Sequence, residues 1–397
     1  MVKINKLDEN LNIEGKRVLL RVDFNVPIND GTITEDSRIE KVLPTIKFLI
    51  NKKAKIIIIA HLGRPKGKIV PELTLKPIAK KLSSYLNQDV VFLNESIGSL
   101  AIQNSKKISN GKILLLENIR FYKEEELNSA SFAKELSKIG DIYINEAFPC
   151  SHRTHASVCE ITKHIDSFAG KQLLEEISAI KMLTDNAKKP ITCIIGGSKI
   201  STKSGILINL IKKMQNIVIV GAMANTFLKY KGYNIGQSIF EKNQENLIEN
   251  IIQQSKKNNC NLILPEDVIT SKNHNSKGVL KNLDQISDNN LILDIGEKTL
   301  QNIFKVIDKS KTVLWNGPAG YFEIDEFSIG SKKIANKISN NTKTKSLISI
   351  AGGGDTVAAI NKFKCSNGFT YLSTAGGAFL ELLEGKMLPG IKALEIN

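Results

Sequence analysis

Leu347-Ile-Ser-Ile-Ala-Gly-Gly-Gly-Asp-Thr-Val-Ala-Ala-Ile360 runs from a β-branched apolar segment, through three consecutive glycines, into a stretch with helical spacing. The first part predicts a strand buried on both faces, and the part after Gly354 predicts a helix. Gly352, Gly353 and Gly354 let a ligand approach the backbone closely. The helix start that follows offers free N–H groups and a positive dipole to a phosphate. Asp355, in the first helical turn, either caps that helix or faces a magnesium ion, and the backbone of Thr356 lies within the same turn. A tight strand-to-helix turn with no ligand would use the same glycines.

Working outward, the pattern recurs. Leu372-Ser-Thr-Ala-Gly376-Gly377 again leads from an apolar run into small residues and an apolar-periodic helix. Gly196-Gly197-Ser198-Lys199-Ile-Ser-Thr-Lys203 follows the apolar run 191–195. Lys199 and Lys203 are four apart, so one helical turn would put both ammonium groups on one side, an arrangement that suits an anion between them; an exposed basic face would read the same way. Further short runs predict strands at 17–22, 55–60, 90–93, 113–116 and 141–144 in the first half, and at 217–220, 262–264, 291–293, 312–315 and 370–372 in the second. Helical periodicity fills the gaps, as at Leu73, Ile78, Ala79, Leu82 and Leu86. The alternation predicts an α/β protein whose parallel sheets are covered by helices. Residues 171–188 keep helical spacing through Leu173, Leu174, Ile177, Ile180 and Leu183 and stop before Pro190; a long helix there would join two domains.

The chain has 397 residues, 42% apolar and 24% charged, which predicts a folded protein of two or three domains. It contains no run of 18 apolar residues, and its first ten residues hold no signal-peptide core, so a cytoplasmic protein with no membrane partner is expected. Cys150, Cys159, Cys193, Cys260 and Cys365 are odd in number and widely spaced, which predicts free thiols rather than disulfides or a zinc site. The net charge of +15 raises nucleic-acid binding as a rival function. Against it, lysines such as Lys212, Lys213, Lys332 and Lys333 are spread along helical stretches, and aromatic residues are only 6% of the chain. No stacking platform is evident, and attraction of small anionic substrates accounts for the charge.

Only six of the 55 basic residues are arginines, and all six lie at or before residue 153. Lysine is a flexible point charge, whereas the guanidinium fork grips carboxylate or phosphate with paired hydrogen bonds. Four of the six follow predicted strand ends. Arg21 leads into Asp23 and Asn25, which face one side of an extended segment. Arg64 follows His61, Leu62 and Gly63, Arg120 follows the run 113–116, and Arg153 follows 141–144 beside His152 and His155. Open α/β sheets bind ligands at the carboxyl ends of their strands, so a small-anion site is expected there. Arg38 opens a helix nearby. Arg21 is expected to be an ion-pair partner in the floor of the site and Arg17 an ordinary surface residue. His61, His152 and His155 are expected to contact anions or accept hydrogen bonds rather than bind metal, whereas His164 and His274 carry no signal. The P-loop motif, the Gly-x-Gly-x-x-Gly fingerprint and the protein-kinase motifs do not occur.

Taken in order, Arg-Val-Asp-Phe-Asn-Val-Pro (21–27), His-Leu-Gly-Arg-Pro (61–65), Glu-Asn-Ile-Arg-Phe (117–121), His-Arg-Thr-His-Ala-Ser (152–157), Gly-Gly-Ser-Lys (196–199), Asp-Ile-Gly (294–296), Leu-Trp-Asn-Gly-Pro (314–318), Gly-Gly-Gly-Asp-Thr (352–356) and Leu-Glu-Leu-Leu-Glu-Gly-Lys (380–386) closely resemble the phosphoglycerate kinase family over nearly the whole chain. The resemblance implies two Rossmann-like lobes, each a parallel sheet covered by helices. The first, 1–170, would take the glycerate compound and the second, 189–384, the nucleotide. A hinge helix at 171–188 would join them, and the tail 385–397 would pack back on the first lobe. It implies reversible phosphoryl transfer between 1,3-bisphosphoglycerate and ADP, with Mg2+, in a monomer. Asp23 and Asn25 would hold the glycerate, with the turn His61, Leu62, Gly63 and Arg64, together with Arg120 and Arg153, gripping its non-transferred phosphate. Arg38, Lys199, Lys203, Gly376 and Gly377 would serve the phosphoryl in flight. Lys203, Gly353, Gly354, Asp355 and Thr356 would meet the nucleotide phosphates, Asp355 also the metal, and Gly296 and Glu323 the adenosine. Thr202 stands where the family often has aspartate, and Ala60, Pro149, Ala222, Glu297 and Ala375 also depart from common forms.

Overall fold

Strand-forming runs and helical stretches alternate along the chain. In the computed structural model, which describes residues 3–184 and 187–396, they form two units, each built on a six-stranded parallel sheet. Unit one comprises Met1–Ser178 and Met387–Asn397. Its strands lie in the order Val90–Leu93, Ile113–Leu116, Lys55–Ile59, Arg17–Arg21, Ile142–Asn145 and Ser167–Ala169. Successive side chains of a strand point to opposite faces, which explains why two apolar cores form. Val18, Leu20, Ile56 and Ile58 pack on one side with Ile39 and Ile46 of the helix Ser37–Asn51, whereas Leu19, Ile57, Ile59 and Leu114 pack on the other with Phe132 and Leu136.

The chain's last residues complete this unit. Leu388, Ile391 and Leu394 are buried, Gly390 N donates to Ser151 O at 2.8 Å, and Ile4 bridges to Glu395. Arg17 is not an ordinary surface residue. Its side chain is 17% exposed and forks onto Asp141, tying the start of the central strand to the approach of its neighbour. The parallel register brings the two together, because Arg17 N also donates to Asp141 Oδ2 at 2.8 Å.

Unit two is Ala179–Lys386, with the order Asn261–Ile263, Asn216–Ile219, Ile191–Ile195, Thr312–Asn316, Ile348–Gly352 and Tyr371–Ser373. The run at 291–293, expected among the parallel strands, belongs instead to a separate antiparallel sheet in which Asp267–Ser271 lies between Val279–Asn282 and Leu291–Ile295. These segments are joined by short loops, and antiparallel neighbours need no crossover helix.

The joining helix spans Lys171–Thr184, and the unit boundary falls within it, between Ser178 and Ala179. Of the four further residues expected in it, Asp185 and Asn186 lie outside the described residues, and 187–188 are not helical. Its first turn is anchored by Glu146, whose carboxylate accepts from Gln172 N at 3.2 Å, Leu173 N at 3.1 Å and the Thr45 hydroxyl. Burial lifts the Glu146 carboxyl to about 7. No helix among the described residues is long and apolar enough to cross a membrane, and all five cysteines are free thiols.

Candidate active site

In unit one, the carboxyl ends of four adjacent strands bring together the residues that follow them. Asp23 is buried and pairs with Nη1 of Arg38, which is the second residue of its helix. Asn25 Oδ1 accepts from Gly63 N at 2.8 Å, and Arg120 Nη1 donates to Gly63 O at 2.9 Å. Asn118 donates to Leu62 O at 2.8 Å. The turn His61–Arg64 is therefore pinned from both sides. Arg120 is buried, and its Nε has no hydrogen-bond partner; the Glu126 carboxylate stands 3.6 Å away. Arg64 is exposed and Arg153 half-exposed, and among the described residues neither has an ion-pair partner.

The histidines register how the arginines converge. Burial, then Arg21, Arg120 and Arg38, push the His61 pKa well below its usual value. Burial, then Arg120, Arg21 and Arg153, lower His155 to about 3. Both rings are therefore neutral near pH 7, and the positive charge of the site comes from the guanidiniums. Asp23, His61 and Cys150 lie close enough to suggest a cation cage, with their ligand atoms all within 4.8 Å of one another. Arg21 already stands in that cluster, with Nη2 3.4 Å from His61 Nδ1 and 3.9 Å from Cys150 Sγ. A place hemmed by cations suits an anion better than a metal ion.

Beneath lies a buried floor. Arg21, fully buried, donates from Nε to Ser157 Oγ at 2.8 Å, and Ser157 in turn donates from N and Oγ to Glu125. Arg21 is held charged against its burial by the Glu125 and Asp23 carboxylates, and Glu125, raised by burial, is held down first by Arg21. Replacing Glu125 with glutamine should lower unfolding free energy by about 3 kcal/mol in urea titration, because it leaves a buried guanidinium uncompensated. A loss within about 0.5 kcal/mol would show that Asp23, rather than Glu125, compensates Arg21.

In unit two, the glycine turns lie at the carboxyl ends of the strands 191–195, 312–316, 348–352 and 371–373. Gly353 has φ +99°, and an added Cβ would stand 2.8 Å from Asn316 Nδ2, so only glycine fits. The helix Gly354–Lys362 begins there with no side-chain cap. Asp355 is exposed beside the turn and does not cap the helix, whereas Thr356 is buried and its Oγ1 accepts from Gly317 N at 2.7 Å. Gly376 and Gly377 open the helix Gly376–Leu383, and the space beside Gly376 is open for 4 Å.

Lys199 and Lys203 do not share a helical face. The helical turn starts only at Ser201, so Lys199 stays exposed in the loop, while Lys203 turns inward to Gly196 O and to Asn316 Oδ1 at 2.6 Å. Burial lowers the Lys203 pKa to about 8. Thr202 donates to Lys199 O at 2.9 Å, and Lys203 has no carboxylate partner among the described residues.

Beside these turns lies a cavity of about 400 Å³ lined by Gly197, Ser198, Gly221, Pro318, Glu323 and Asp355 and closed by the apolar residues Ile239, Leu291 and Leu293. Gly296 is not in its wall; it starts the helix Glu297–Lys309 and packs against Asp267. His274, silent in the sequence, does line the cavity, 4.9 Å from the Tyr321 ring. No local pattern marks it, because it comes from a loop of the antiparallel sheet. A larger groove of about 910 Å³ at the outer strand Asn261–Ile263 carries Lys231, Lys298 and Lys305 but no glycine turn, so the smaller cavity is the better nucleotide candidate.

Residues 8–386 match the family model described as phosphoglycerate kinase. This chain belongs to the phosphoglycerate kinase family. It is 45% identical over 390 residues to the phosphoglycerate kinase of Bartonella bacilliformis, covering 96% of each chain. It is 45% identical to that of Wolbachia pipientis subsp. Culex pipiens, over 97% of this chain and 98% of the other. Among solved structures, the phosphoglycerate kinase of Coxiella burnetii superposes with a TM-score of 0.87 at 40% identity, covering 97% of each chain. That of Pyrococcus horikoshii OT3 superposes with a TM-score of 0.85 at 28% identity. These family members share the two-sheet α/β fold described above.

Proposed function

We propose that the chain transfers a phosphoryl group reversibly between 1,3-bisphosphoglycerate and ADP, giving 3-phosphoglycerate and ATP. The observation that carries this reading is the pairing, within a member of this family, of an arginine-lined anion site on one sheet with glycine turns beside a cavity on the other. The first gathers charge without protonated histidine, as the grip on a small doubly anionic triose requires. Arg64, Arg120 and Arg153 hold the non-transferred phosphate, Asp23 and Asn25 the glycerate, and Arg38 the carboxyl end. On the second, the N–H groups at Gly353, Gly354, Gly376 and Gly377 face the phosphates, Lys203 and Lys199 neutralise them, and Glu323 meets the ribose.

A carboxylate acceptor is already ionised, so no base is needed, and catalysis consists of alignment and charge neutralisation. Asp355, an exposed carboxylate in the first turn of the helix Gly354–Lys362 that does not cap it, offers the kind of oxygen that Mg2+ takes together with substrate phosphates. When bound, the ion would spread the charge of the transferring oxygens. Both ligands must meet at one phosphoryl group, so closure about the Lys171–Thr184 helix is part of the proposal, with the substrates as sole partners of a cytoplasmic monomer.

A coupled assay with 3-phosphoglycerate, ATP and magnesium should give turnover, and its absence would overturn the reading. Small-angle scattering should show compaction only when both ligands are present. A duplex-DNA binding assay at physiological salt should show no affinity, whereas tight, salt-sensitive binding would favour the basic nucleic-acid reading instead.

A further inference from the structure

Asp294 is one of the few carboxylates in the second unit buried almost completely, at 2% exposure, and the chemistry above makes no use of it. It lies on the strand Leu291–Ile295, whose Leu291, Ile292 and Leu293 line the cavity. Its Oδ1 accepts from Ile295 N at 2.8 Å, and its Oδ2 accepts from Gly330 N at 2.7 Å, in the first turn of the helix Ile329–Lys345. Gly320, in the loop that also brings Tyr321 and Glu323 to the cavity wall, packs on the same carboxylate. A Cβ added to Gly320 would stand 2.4 Å from Asp294 Oδ1, and one added to Gly330 would stand 2.3 Å from it. Neither glycine has the left-handed φ that would call for glycine on its own account. Both are needed for close approach to one oxygen. Tyr321 N also donates to Leu293 O at 2.8 Å, so the two walls are joined immediately beside Asp294.

We propose that Asp294 is a positioning residue that fixes the two walls of the nucleoside cavity to each other, and that its ionised form is the one that binds nucleoside. The inference rests on reading this cavity as the nucleotide site. An ionised carboxylate accepts both N–H groups, one on each oxygen. Protonation turns one oxygen into a hydroxyl that faces a donor, and an amide in its place does the same. Burial raises the Asp294 carboxyl to about 7, opposed only by the two N–H bonds; no charged side chain acts on it from the strand, the loop or the helix. The titratable groups on the cavity wall are His274, Tyr321, Glu323 and Asp355, and histidine is the type whose charge ordinarily changes near neutral pH.

Adenosine, which has no phosphate to titrate, is the probe, with binding followed calorimetrically on the full chain. Asp294→Asn should weaken adenosine about tenfold while leaving 3-phosphoglycerate binding unchanged, a split that general loosening would not produce. In the unaltered chain, adenosine affinity should fall as pH drops through about 7, and that fall should persist in His274→Gln but vanish in Asp294→Asn. Equal adenosine affinity in Asp294→Asn, or a pH dependence lost with His274, overturns the proposal. If Asp294→Asn does not fold, the pH series on the unaltered chain and on His274→Gln decides alone. If the unaltered chain takes up 3-phosphoglycerate but no adenosine at any pH, the assignment of the cavity fails and the inference falls with it.

Discussion

Arg38→Lys should reduce turnover by about 10³-fold while changing the KM for 3-phosphoglycerate only a few-fold. One arm of the Arg38 fork is committed to Asp23, and in the proposed reaction the rest of the guanidinium faces the reacting end of the substrate. A lysine keeps the charge but has a single nitrogen on a flexible stem. It can satisfy Asp23 or the oxygens in flight, not both in fixed geometry. Because the charge is retained, long-range attraction of the substrate survives, and the loss falls on the transition state rather than on binding. Steady-state kinetics with both substrates varied is the measurement, and an unchanged kcat would remove Arg38 from the chemistry.

Lys203→Met should cost about as much, and pH should reveal why. Lys203 is half-buried against two neutral oxygens and lacks a carboxylate partner among the described residues, so burial depresses its pKa to about 8. The group is charged below that value and neutral above it. In the free enzyme, kcat/KM for the nucleotide should therefore fall as pH rises through about 8. Bound phosphate favours the ammonium, so kcat should hold to higher pH. The linkage runs the other way for stability. The unfolded chain binds more protons between about 8 and the ordinary lysine value, so the folded state gains stability as pH rises across that window. Lys203→Met should thus lose activity without losing stability. Denaturation and rate profiles measured across pH on both proteins test this, and a variant that loses both together would assign Lys203 to the fold instead.

Both parallel sheets were legible because their strands are buried on both faces and read as unbroken apolar runs. The antiparallel sheet was not. Val279–Asn282 is largely exposed and the central strand Asp267–Ser271 mixes polar with apolar residues, so of the three only 291–293 shows an unbroken apolar run, which by itself does not distinguish a parallel from an antiparallel strand. Within the site, residues just after strand ends were legible, because strand order and a glycine turn fix where the next few side chains emerge. Partners distant in sequence were not: the Arg17–Asp141 pair spans 124 positions, and Lys203 meets Asn316 across 113. The inward turn of Lys203 and the place of His274 depend on such pairings, which periodicity does not encode.

The chain's last eleven residues, Met387–Asn397, belong to the unit that its first 178 begin. During synthesis, then, the amino-terminal sheet can be made and paired long before the segment that supplies Leu388, Ile391 and Leu394 to its core. All of Ala179–Lys386 must be translated in between, which at ordinary elongation rates is about 10–40 s. Through that interval the nascent unit presents an apolar face to the cell with nothing yet available to cover it. The order of manufacture thus makes the unit begun first the last to be finished, and loss of Leu388, Ile391 or Leu394 would be felt in the sheet made at the start of synthesis.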